Sequence, residues 1–224
     1  AAQVNRQISA KILETRDQVI INGDTATAAN TNINLIDGTP ATGNLQPYYL
    51  ATDGMRKLPL VTATAQSIDA SNTISIATFR NVIARLSGEL RQFRERMVFL
   101  IDPDTEISAL ALPEIATDDV RRTAATITSG TLQNIYGIDV HVSGFIPRAN
   151  AAGKVSATAS NNTRGTILLV YAPYWGVAFK RQITFGTQYD LLSGTTVAVA
   201  TMRSGVVARG TNAAALAYNV GDPS

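Results

Sequence analysis

The chain of 224 residues contains no cysteine. Disulfide bonds, cysteine-ligated zinc and thiol catalysis are therefore excluded, and the fold must rest on packing and hydrogen bonds alone. Histidine occurs once, as His141, whereas the usual zinc sites take three or four cysteine or histidine ligands. We accordingly expect no metal ion and no other cofactor.

Charge is also scarce, since charged residues make up 16 % of the chain against about 25 % in an average soluble domain. Such a surface is typical of proteins that face other protein over much of their area. The formal net charge is only +2 and the arginines are scattered along the sequence, whereas dedicated nucleic-acid-binding proteins concentrate lysine and arginine on one face. Sequence-specific binding of DNA or RNA is therefore not favoured.

Long apolar runs are missing as well. The longest, such as residues 97–101, have the length of a strand and fall far short of the ~20 residues of a membrane span. No signal-peptide pattern precedes the first residue, where a helical pattern is already under way. We therefore interpret the N terminus as a cut end and expect no contact with a membrane.

The first half of the chain predicts two helices separated by an irregular segment. Residues 1–22 predict one amphipathic helix, because their apolar stripe repeats at spacings of three and four. Gly23 is then expected to form a left-handed C-cap. Residues 25–71 are expected to be irregular, because turn-forming pairs recur in them, and short apolar pieces are expected to anchor them to the core. A second helix is predicted over residues 78–94, with a buried face formed by Phe79, Val82, Ile83, Leu86, Leu90 and Phe93.

The centre of the chain predicts a buried strand that turns directly into a helix. Residues 97–101 are continuously apolar, as in a strand covered on both faces. Asp102 is a suitable N-cap and Pro103 a suitable first helical residue. Gly137 predicts a tight turn before an alternating strand that carries His141 on its outer side. The last third predicts β-strands, and this order of elements is typical of an α+β domain.

Two groups of side chains raise the question of catalysis or metal binding. A catalytic His141 with Asp139 needs an activated nucleophile within reach, yet the Gly-x-Ser-x-Gly elbow is absent from the sequence. An ordinary outer-face or interface histidine is therefore favoured. Asp102, Asp104 and Glu106 are spaced like a metal-binding cluster, but their position at the start of a helix favours helix capping.

Two further groups have a structural interpretation beside a functional one. Asp118 and Asp119 with Arg121 and Arg122 suit a salt-bridged helix surface better than an acid–base pair. Four aromatic residues could stack on sugars or bases, but packing in the core and at interfaces is favoured; they are Tyr171, Tyr174, Trp175 and Phe179. No phosphate-binding loop is present, so we expect a structural protein and no enzyme.

Four stretches, taken in order, resemble the major capsid proteins of tailed bacteriophages with the HK97-type fold. "VIINGD" is similar to the Asn-Gly-Asp turn that closes the long spine helix of that family, and "MVFLIDPDTEISALAL" to its buried strand, turn and helix. "IYGIDVHVSGFIP" resembles its aromatic-Gly-x-Pro-Val turn, although Asp139 replaces the usual proline. "VAVATMRSGVVARGTNAAALAY" resembles its closing strands. The resemblance extends over essentially the whole chain.

The resemblance implies an α+β subunit of two domains, without the N-terminal arm and extended loop of the family. A peripheral domain, with the spine helix and an antiparallel sheet, would comprise residues 1–72 and 186–224, and an axial domain, with a sheet flanked by helices, residues 73–185. A loop at the capsomer axis is expected to contain Pro113, Asp118, Asp119, Arg121, Arg122 and Gly130. A three-fold contact loop is expected to contain Tyr189, Asp190, Leu191, Leu192 and Gly194. Structural caps are expected at Gly23, Asp102, Pro103 and Gly137.

The same resemblance implies a protein that self-assembles through pentamers and hexamers into an icosahedral shell around the double-stranded DNA genome of a tailed phage or prophage. The expected partners are copies of itself, scaffolding, protease and portal proteins, and packaged DNA contacted non-specifically. The expected location is the virion capsid, assembled in the cytoplasm of the bacterial host. Two alternatives stay open: an encapsulin-like shell of a bacterial nanocompartment and, less favoured, a β-rich ligand-binding module.

Overall fold

The computed structural model describes residues 2–40, 45–115, 132, 134–190, 192 and 194–221. Within these ranges the α-helices are α1 (Ala2–Asn22), α2 (Ile76–Arg85), α3 (Gly88–Arg91) and α4 (Pro103–Leu110). The strands are β1 (Ser67–Asp69), β2 (Met97–Ile101), β3 (Asn134–Ile135), β4 (Ile138–Val142), β5 (Gly165–Tyr171), β6 (Trp175–Asp190), β7 (Thr195–Ala208) and β8 (Ala214–Val220). Short 3₁₀ turns lie at Pro47–Leu50, Thr64–Gln66, Arg94–Arg96, Ala159–Asn161, Ala172–Tyr174 and Thr211–Ala213, and a π turn at Leu58–Thr62.

A six-stranded mixed sheet organises the body of the protein, with strand order β1-β8-β5-β2-β4-β3. β5 is antiparallel to both of its neighbours, whereas β2 pairs with β4, and β1 with β8, in parallel. Every residue of β5 is buried, because a strand lies on either side of it and other parts of the chain cover both of its faces. The predicted α+β fold class is confirmed.

The two faces of this sheet pack against different parts of the chain. α2 and α4 cover one face, where Phe79 of α2 meets Phe99 of β2 edge-on with ring centroids 5.4 Å apart. The π turn covers the other face, where Leu58 and Leu60 pack against the cluster around Leu168 of β5. The irregular segment before β1 is thus held in place by burial of its apolar residues, as predicted.

β6 and β7 form a separate two-stranded antiparallel ribbon. It is long, since β6 has 16 residues and β7 has 14. Its register shifts twice, between Phe179 and Arg181 and between Arg181 and Thr184, so β6 contains two more residues than the opposing stretch of β7. Such bulges bend a ribbon and increase its twist. α1 packs against β7, and the ribbon therefore lies beside the long helix.

The prediction of one helix over residues 78–94 is wrong. α2 begins at Ile76, because the Ser75 side chain accepts a hydrogen bond from the Thr78 backbone N–H in a capping box. It ends at Arg85, and only the short α3 follows. Phe93, expected on the buried face, lies outside both helices and is 36 % exposed.

The predicted domain boundaries do not coincide with the hydrogen-bonded sheets. The boundary between residues 185 and 186 falls inside β6. β1 and β8, which the prediction assigns to the peripheral domain, belong to the same sheet as β2, β4 and β5. The hydrogen bonds therefore group β1 and β8 with the strands assigned to the axial domain, and the division into domains stays a prediction.

Candidate assembly surface and its anchor

The end of α1 is joined to three distant segments through Asn22, which is 1 % exposed. The Asn22 amide nitrogen donates to the Phe145 carbonyl at 2.6 Å, and its amide oxygen accepts from Arg56 Nη1 at 2.9 Å. The Asn22 carbonyl accepts from the Asn34 side chain at 2.6 Å. Because these bonds use both ends of one short side chain, they fix the direction in which α1 leaves the body of the protein.

Arg56 is fully buried beside Asn22. Its Nη2 donates to the Gly153 carbonyl at 3.1 Å, and its Nε has no hydrogen-bond partner among the described residues. Burial lowers the pKa of Arg56 to about 10, although Tyr49 and Asp102 nearby favour the charged form. Burial likewise raises the pKa of Tyr49 to about 12. No local sequence pattern points to Arg56, since its partners are 34 and 97 residues away.

Gly23 follows Asn22 and allows two backbone segments to approach. The Gly54 N–H donates to the Gly23 carbonyl at 2.7 Å. A Cβ atom on Gly23 would clash with the Thr52 carbonyl and lie 2.7 Å from the Val19 carbonyl. Its φ is not positive, so the predicted left-handed C-cap is wrong. Glycine is needed here for close backbone contact, which the spacing of the sequence does not reveal.

Asp24 completes this turn as a buried carboxylate, with a side chain 0 % exposed. It accepts from the Ile33 N–H at 2.8 Å and forms an ion pair with Lys57 Nζ at 2.8 Å. Lys57 also lies 2.8 Å from Asp53. Partial burial opposes charge on both Lys57 and Asp53. The hydrogen bonds of Lys57 with Asp24 and Asp53 nevertheless raise the pKa of Lys57 overall, and those from Lys57 and Thr25 lower the pKa of Asp53.

We call Asn22, Gly23, Asp24, Arg56 and Lys57 the helix junction. They form a network of structural hydrogen bonds with one ion-paired lysine. These five residues do not combine an activated nucleophile with a base, so we assign them a structural role: they attach α1 to the rest of the chain. The helix junction holds α1, and with α1 the neighbouring ribbon, at a fixed angle to the six-stranded sheet.

The β6–β7 ribbon exposes apolar side chains on both faces. Residues directly opposite each other in the register share a face, which separates the two sets. One face, which we call the front face, carries Val197, Val199 and Val207, exposed by 50 %, 53 % and 62 %. The back face carries Phe185 and Tyr189, exposed by 40 % and 58 %. An isolated two-stranded ribbon is marginally stable in water, so this surface is suited to being covered by other protein.

A groove of about 500 Å³ runs between α1 and β7. Ile12 and Val19 of α1 and Met202 of β7 are among the residues that line it. Ala51 also lines the groove, and the hydroxyl of the next residue, Thr52, donates to the Val206 carbonyl at 3.0 Å. This bond connects the segment around Thr52 to β7 of the ribbon.

The predicted three-fold contact loop lies at the tip of the ribbon. Tyr189 is exposed, Asp190 pairs with Thr195 in the ladder, and Leu192 is 100 % exposed. Gly194 has a φ of +66°, a conformation that favours glycine. Leu191 lies outside the described residues. The structure therefore brings the described members of this loop together at one exposed end.

Of the predicted capsomer-axis loop, the structure describes only Pro113, which is exposed. The other members lie outside the described residues; they are Asp118, Asp119, Arg121, Arg122 and Gly130. The expected salt-bridged helix surface falls on the same positions and is likewise outside the described residues.

Asp102, Pro103 and Gly137, the other residues predicted as caps, lie at the start of α4 and in the turn before β4. The Asp102 carboxylate accepts from the Thr105 N–H at 3.0 Å, and Pro103 is the first residue of α4. Gly137 has a φ of +78° in the turn between β3 and β4.

The acidic residues beside Asp102 have structural partners too. Asp104 pairs with Arg148 at 2.6 Å, and Glu106 accepts from the Leu132 N–H at 3.2 Å. Within the described ranges no group of three or more acidic or histidine side chains is placed to hold a metal ion. The three acids therefore serve the start of α4 and its neighbouring segments.

His141 lies on the exposed side of β4, as predicted. The nearby Asp139 carboxylate accepts from the Asn134 side chain at 3.3 Å.

In the part of the chain that the structure covers, no helix has the length and apolar character of a membrane span.

The aromatic cluster is divided between the core and the ribbon. Tyr171 and Tyr174 pack edge-to-face with centroids 5.0 Å apart, and the Tyr171 side chain is buried. Trp175 donates to the Ala213 carbonyl at 2.9 Å, and Phe179 is 49 % exposed on the ribbon. The four rings therefore do not share one open cleft.

Comparison with known proteins identifies the fold through structure. No protein-family model and no curated protein sequence matches the chain. A chain of the satellite phage P4 procapsid, in a structure that includes the size determination (Sid) protein, is similar with a TM-score of 0.58 at 10 % identity, over 100 % of this chain and 65 % of that one. The capsid of an empty GTA particle is similar with a TM-score of 0.54 at 12 % identity, over 97 % of this chain and 65 % of that one. The mature capsid of bacteriophage PhiM1 is similar with a TM-score of 0.52 at 12 % identity, over 96 % of this chain and 64 % of that one.

These likenesses show that the chain has the fold of phage capsid chains, and the predicted HK97-type fold is confirmed. The chain spans slightly less than two thirds of the length of the three capsid chains. The helix junction, the ribbon and the sheet described above are therefore parts of a capsid-type architecture.

Proposed function

We propose that this protein is the structural subunit of an icosahedral shell that encloses the double-stranded DNA genome of a tailed phage or prophage. The observation that carries the proposal is the β6–β7 ribbon, which exposes apolar side chains on both faces in a chain with a capsid-type fold. Several exposed apolar side chains grouped on one element are typical of a site of protein association. The proposed reaction is assembly, and no catalytic step is assigned to the chain.

The proposed mechanism is head-to-tail association of identical subunits into pentamers and hexamers, which then join into a closed shell. α1 and the ribbon would form the peripheral part of each subunit, and the six-stranded sheet with α2 and α4 the axial part. This proposed division differs from the one predicted from sequence, because it follows the hydrogen-bonded sheets. Each contact can be weak, since a shell is stabilised by many contacts made at once.

The contact sites within such a shell are also proposed. The loop after Pro113 would lie near the capsomer axis, and the ribbon tip around Leu192 near the three-fold points where capsomers meet. Full exposure of Leu192 supports the second assignment, since a fully exposed leucine gains free energy on burial. Scaffolding, protease and portal proteins would assist assembly in the bacterial cytoplasm, and the virion capsid would be the final location.

An encapsulin-like compartment is the second candidate, because it would use the same kind of shell contacts around protein cargo. A ligand-binding module is disfavoured by the division of the aromatic cluster between core and ribbon. The contents of the particle separate the first two candidates, since a genome shell contains nuclease-protected DNA and a compartment contains protein.

The test is to express the protein from its complete gene and to measure particle formation by sedimentation and electron microscopy. We expect closed particles when the whole gene product and its co-expressed phage proteins are present. A complete gene product that sediments as a monomer at every concentration, with those phage proteins present, would overturn the proposal.

A further inference from the structure

We propose that residues 80–96, here called the basic segment, bind the phosphate backbone of duplex DNA. The inference rests on the proposed function, because it assigns the DNA contact of the shell subunit to one segment of the chain. The basic segment includes most of α2, all of α3 and the 3₁₀ turn before β2. All of its arginines are exposed; they are Arg80, Arg85, Arg91, Arg94 and Arg96.

The positive charge of the chain is concentrated in this segment. Five of the 19 basic residues and two of the 17 acidic residues, Glu89 and Glu95, lie within it. The rest of the chain therefore has 14 basic and 15 acidic residues, a formal charge of −1. The arginines are thus less evenly spread than the chain-wide charge indicates, and the net charge of +2 originates here.

Two of the arginines are positioned by hydrogen bonds that leave donor groups available. Arg91 Nε donates to the Leu86 carbonyl at 2.9 Å, and Arg94 Nη1 to the Tyr136 carbonyl at 2.9 Å. These acceptors are neutral, so they orient the guanidinium groups without cancelling their charge. Each guanidinium has five N–H donors, and those not used in these bonds remain for a ligand.

The other three arginines are also without a strong ionic partner. Among the residues that the structure describes, the side chains of Arg80 and Arg85 make no hydrogen bond and no ion pair. Arg96 lies over the Phe93 ring, 5.4 Å from its centroid, and 3.8 Å from Glu95, with both charged side chains more than half exposed. An exposed pair at this distance contributes little. The charge of the surface therefore remains available to a polyanion.

Duplex DNA fits this surface better than single-stranded nucleic acid. Arginine forks match phosphate oxygens in geometry, and contacts to phosphate carry no sequence information. Single-strand binding relies on aromatic faces on which bases stack, yet one face of Phe93 is covered by the Arg96 guanidinium. We therefore expect non-specific duplex binding that weakens as salt concentration rises.

The experiment measures binding of the purified protein to two fluorescent 24-base-pair duplexes of unrelated sequence, by anisotropy between about 50 and 200 mM salt. The test variant combines Arg80→Gln, Arg85→Gln and Arg96→Gln, which removes no hydrogen bond described above. The matched control combines Arg6→Gln, Lys180→Gln and Arg209→Gln, which removes the same charge from exposed positions elsewhere. Circular dichroism verifies that both variants are folded.

The wild type and the control are expected to bind both duplexes with equal affinity. In the test variant affinity should fall about tenfold at low salt, and the slope of log K against log salt should decrease by about 0.9 for each phosphate that is no longer bound. An equal fall in affinity in the test variant and the control, or undiminished binding by the test variant, would overturn the assignment. Particle formation is measured separately by sedimentation, so a failure of DNA binding and a failure of self-assembly give different results.

Discussion

At the scale of single residues, Arg56 determines how the long helix is attached to the rest of the protein. It is one of the largest fully buried side chains in the described ranges, and its guanidinium is held by the Asn22 amide and the Gly153 carbonyl. Leaving a buried charge without its partners costs about 3–5 kcal/mol. Both acceptors must therefore be in place together, and this couples the end of α1 to the loop at Gly153.

Gly23 provides a first prediction at this scale. We expect Gly23→Ala to lower the free energy of unfolding by about 3 kcal/mol, because the new Cβ meets the carbonyls of Thr52 and Val19. Gly88→Ala is the matched control: its new Cβ would have no neighbouring atom within 4 Å, so stability should stay the same or rise by up to about 1 kcal/mol. Urea denaturation of both variants provides the measurement, and equal effects would show that close packing at Gly23 is unimportant.

A second prediction concerns the pH dependence of the free energy of unfolding and rests on Asp53. Its pKa is lowered in the folded state by Lys57 and Thr25 against the opposing effect of partial burial. A carboxylate with a lowered pKa stabilises the fold above its unfolded pKa of about 3.9, and this contribution disappears as the pH falls through the folded value. Lys57, whose pKa is raised, stays protonated over this range.

The corresponding experiment compares the wild type with Asp53→Asn by denaturation from about pH 3 to about pH 7, which brackets the unfolded value of about 3.9. The wild type should be more stable near neutral pH, and the difference should shrink once the pH falls below about 4. A difference that is the same at every pH would contradict the assigned role of the Asp53 carboxylate.

At the scale of secondary structure elements, the N-cap residue of α4 also connects that helix to the central sheet by a hydrogen bond. Asp102 accepts from the Thr105 N–H, from the Thr105 hydroxyl at 2.5 Å and from the Thr166 N–H of β5 at 3.1 Å. We expect Asp102→Ala to cost about 2–4 kcal/mol, since it removes an N-cap and leaves buried donors unpaired. Ser87, the N-cap residue of α3, makes no such side-chain bond, so Ser87→Ala should change thermal stability by less than about 0.5 kcal/mol. A cost at Asp102 no larger than at Ser87 would contradict this role.

The elements that the sequence predicts correctly are those with local signals. α1 follows from a stripe repeated every three or four residues, and β2 with α4 from an apolar run ended by Asp102 and Pro103. The position of β8 in the sheet cannot be predicted from the sequence, because strands far apart in the chain pair without a local pattern. The interruption after Arg85 escapes prediction for a related reason: the apolar periodicity continues through Leu86 and Leu90, which stay buried although the helix stops.

The candidate site is predictable only in part, for the same physical reason. The Asn-Gly-Asp turn has a short sequence pattern, whereas the ribbon tip is predicted only through the resemblance to the capsid family. Arg56, Lys57 and Gly54 act through partners in other segments, so no spacing points to them. The two apolar faces of the ribbon depend on its bulged register, which decides whether residues such as Val199 and Phe185 share a face.

At the scale of the whole molecule, burial is unevenly distributed. The six-stranded sheet has packed faces and a fully buried central strand. The ribbon has none of this protection at its tip, where both faces expose valine, phenylalanine or tyrosine. The strands of the ribbon, of 16 and 14 residues, are only partly covered, where α1 packs against β7, so contact with other chains would stabilise them further. The helix junction then matters because it sets the angle at which that ribbon is presented.

The front face of the ribbon therefore yields a prediction about assembly. Val197→Thr with Val199→Thr keeps side chains that favour strands and should leave the free energy of unfolding within about 0.5 kcal/mol of the wild type, because both positions are exposed in the subunit. If these valines are buried between subunits, a cost of about 1–2 kcal/mol per subunit interface should raise the protein concentration needed for particle formation about tenfold. Val61→Thr with Ile107→Thr, exposed apolar positions outside the ribbon, is the control and should assemble like the wild type. Light scattering against concentration measures the threshold, and equal thresholds for all three proteins would remove the ribbon from the assembly contacts.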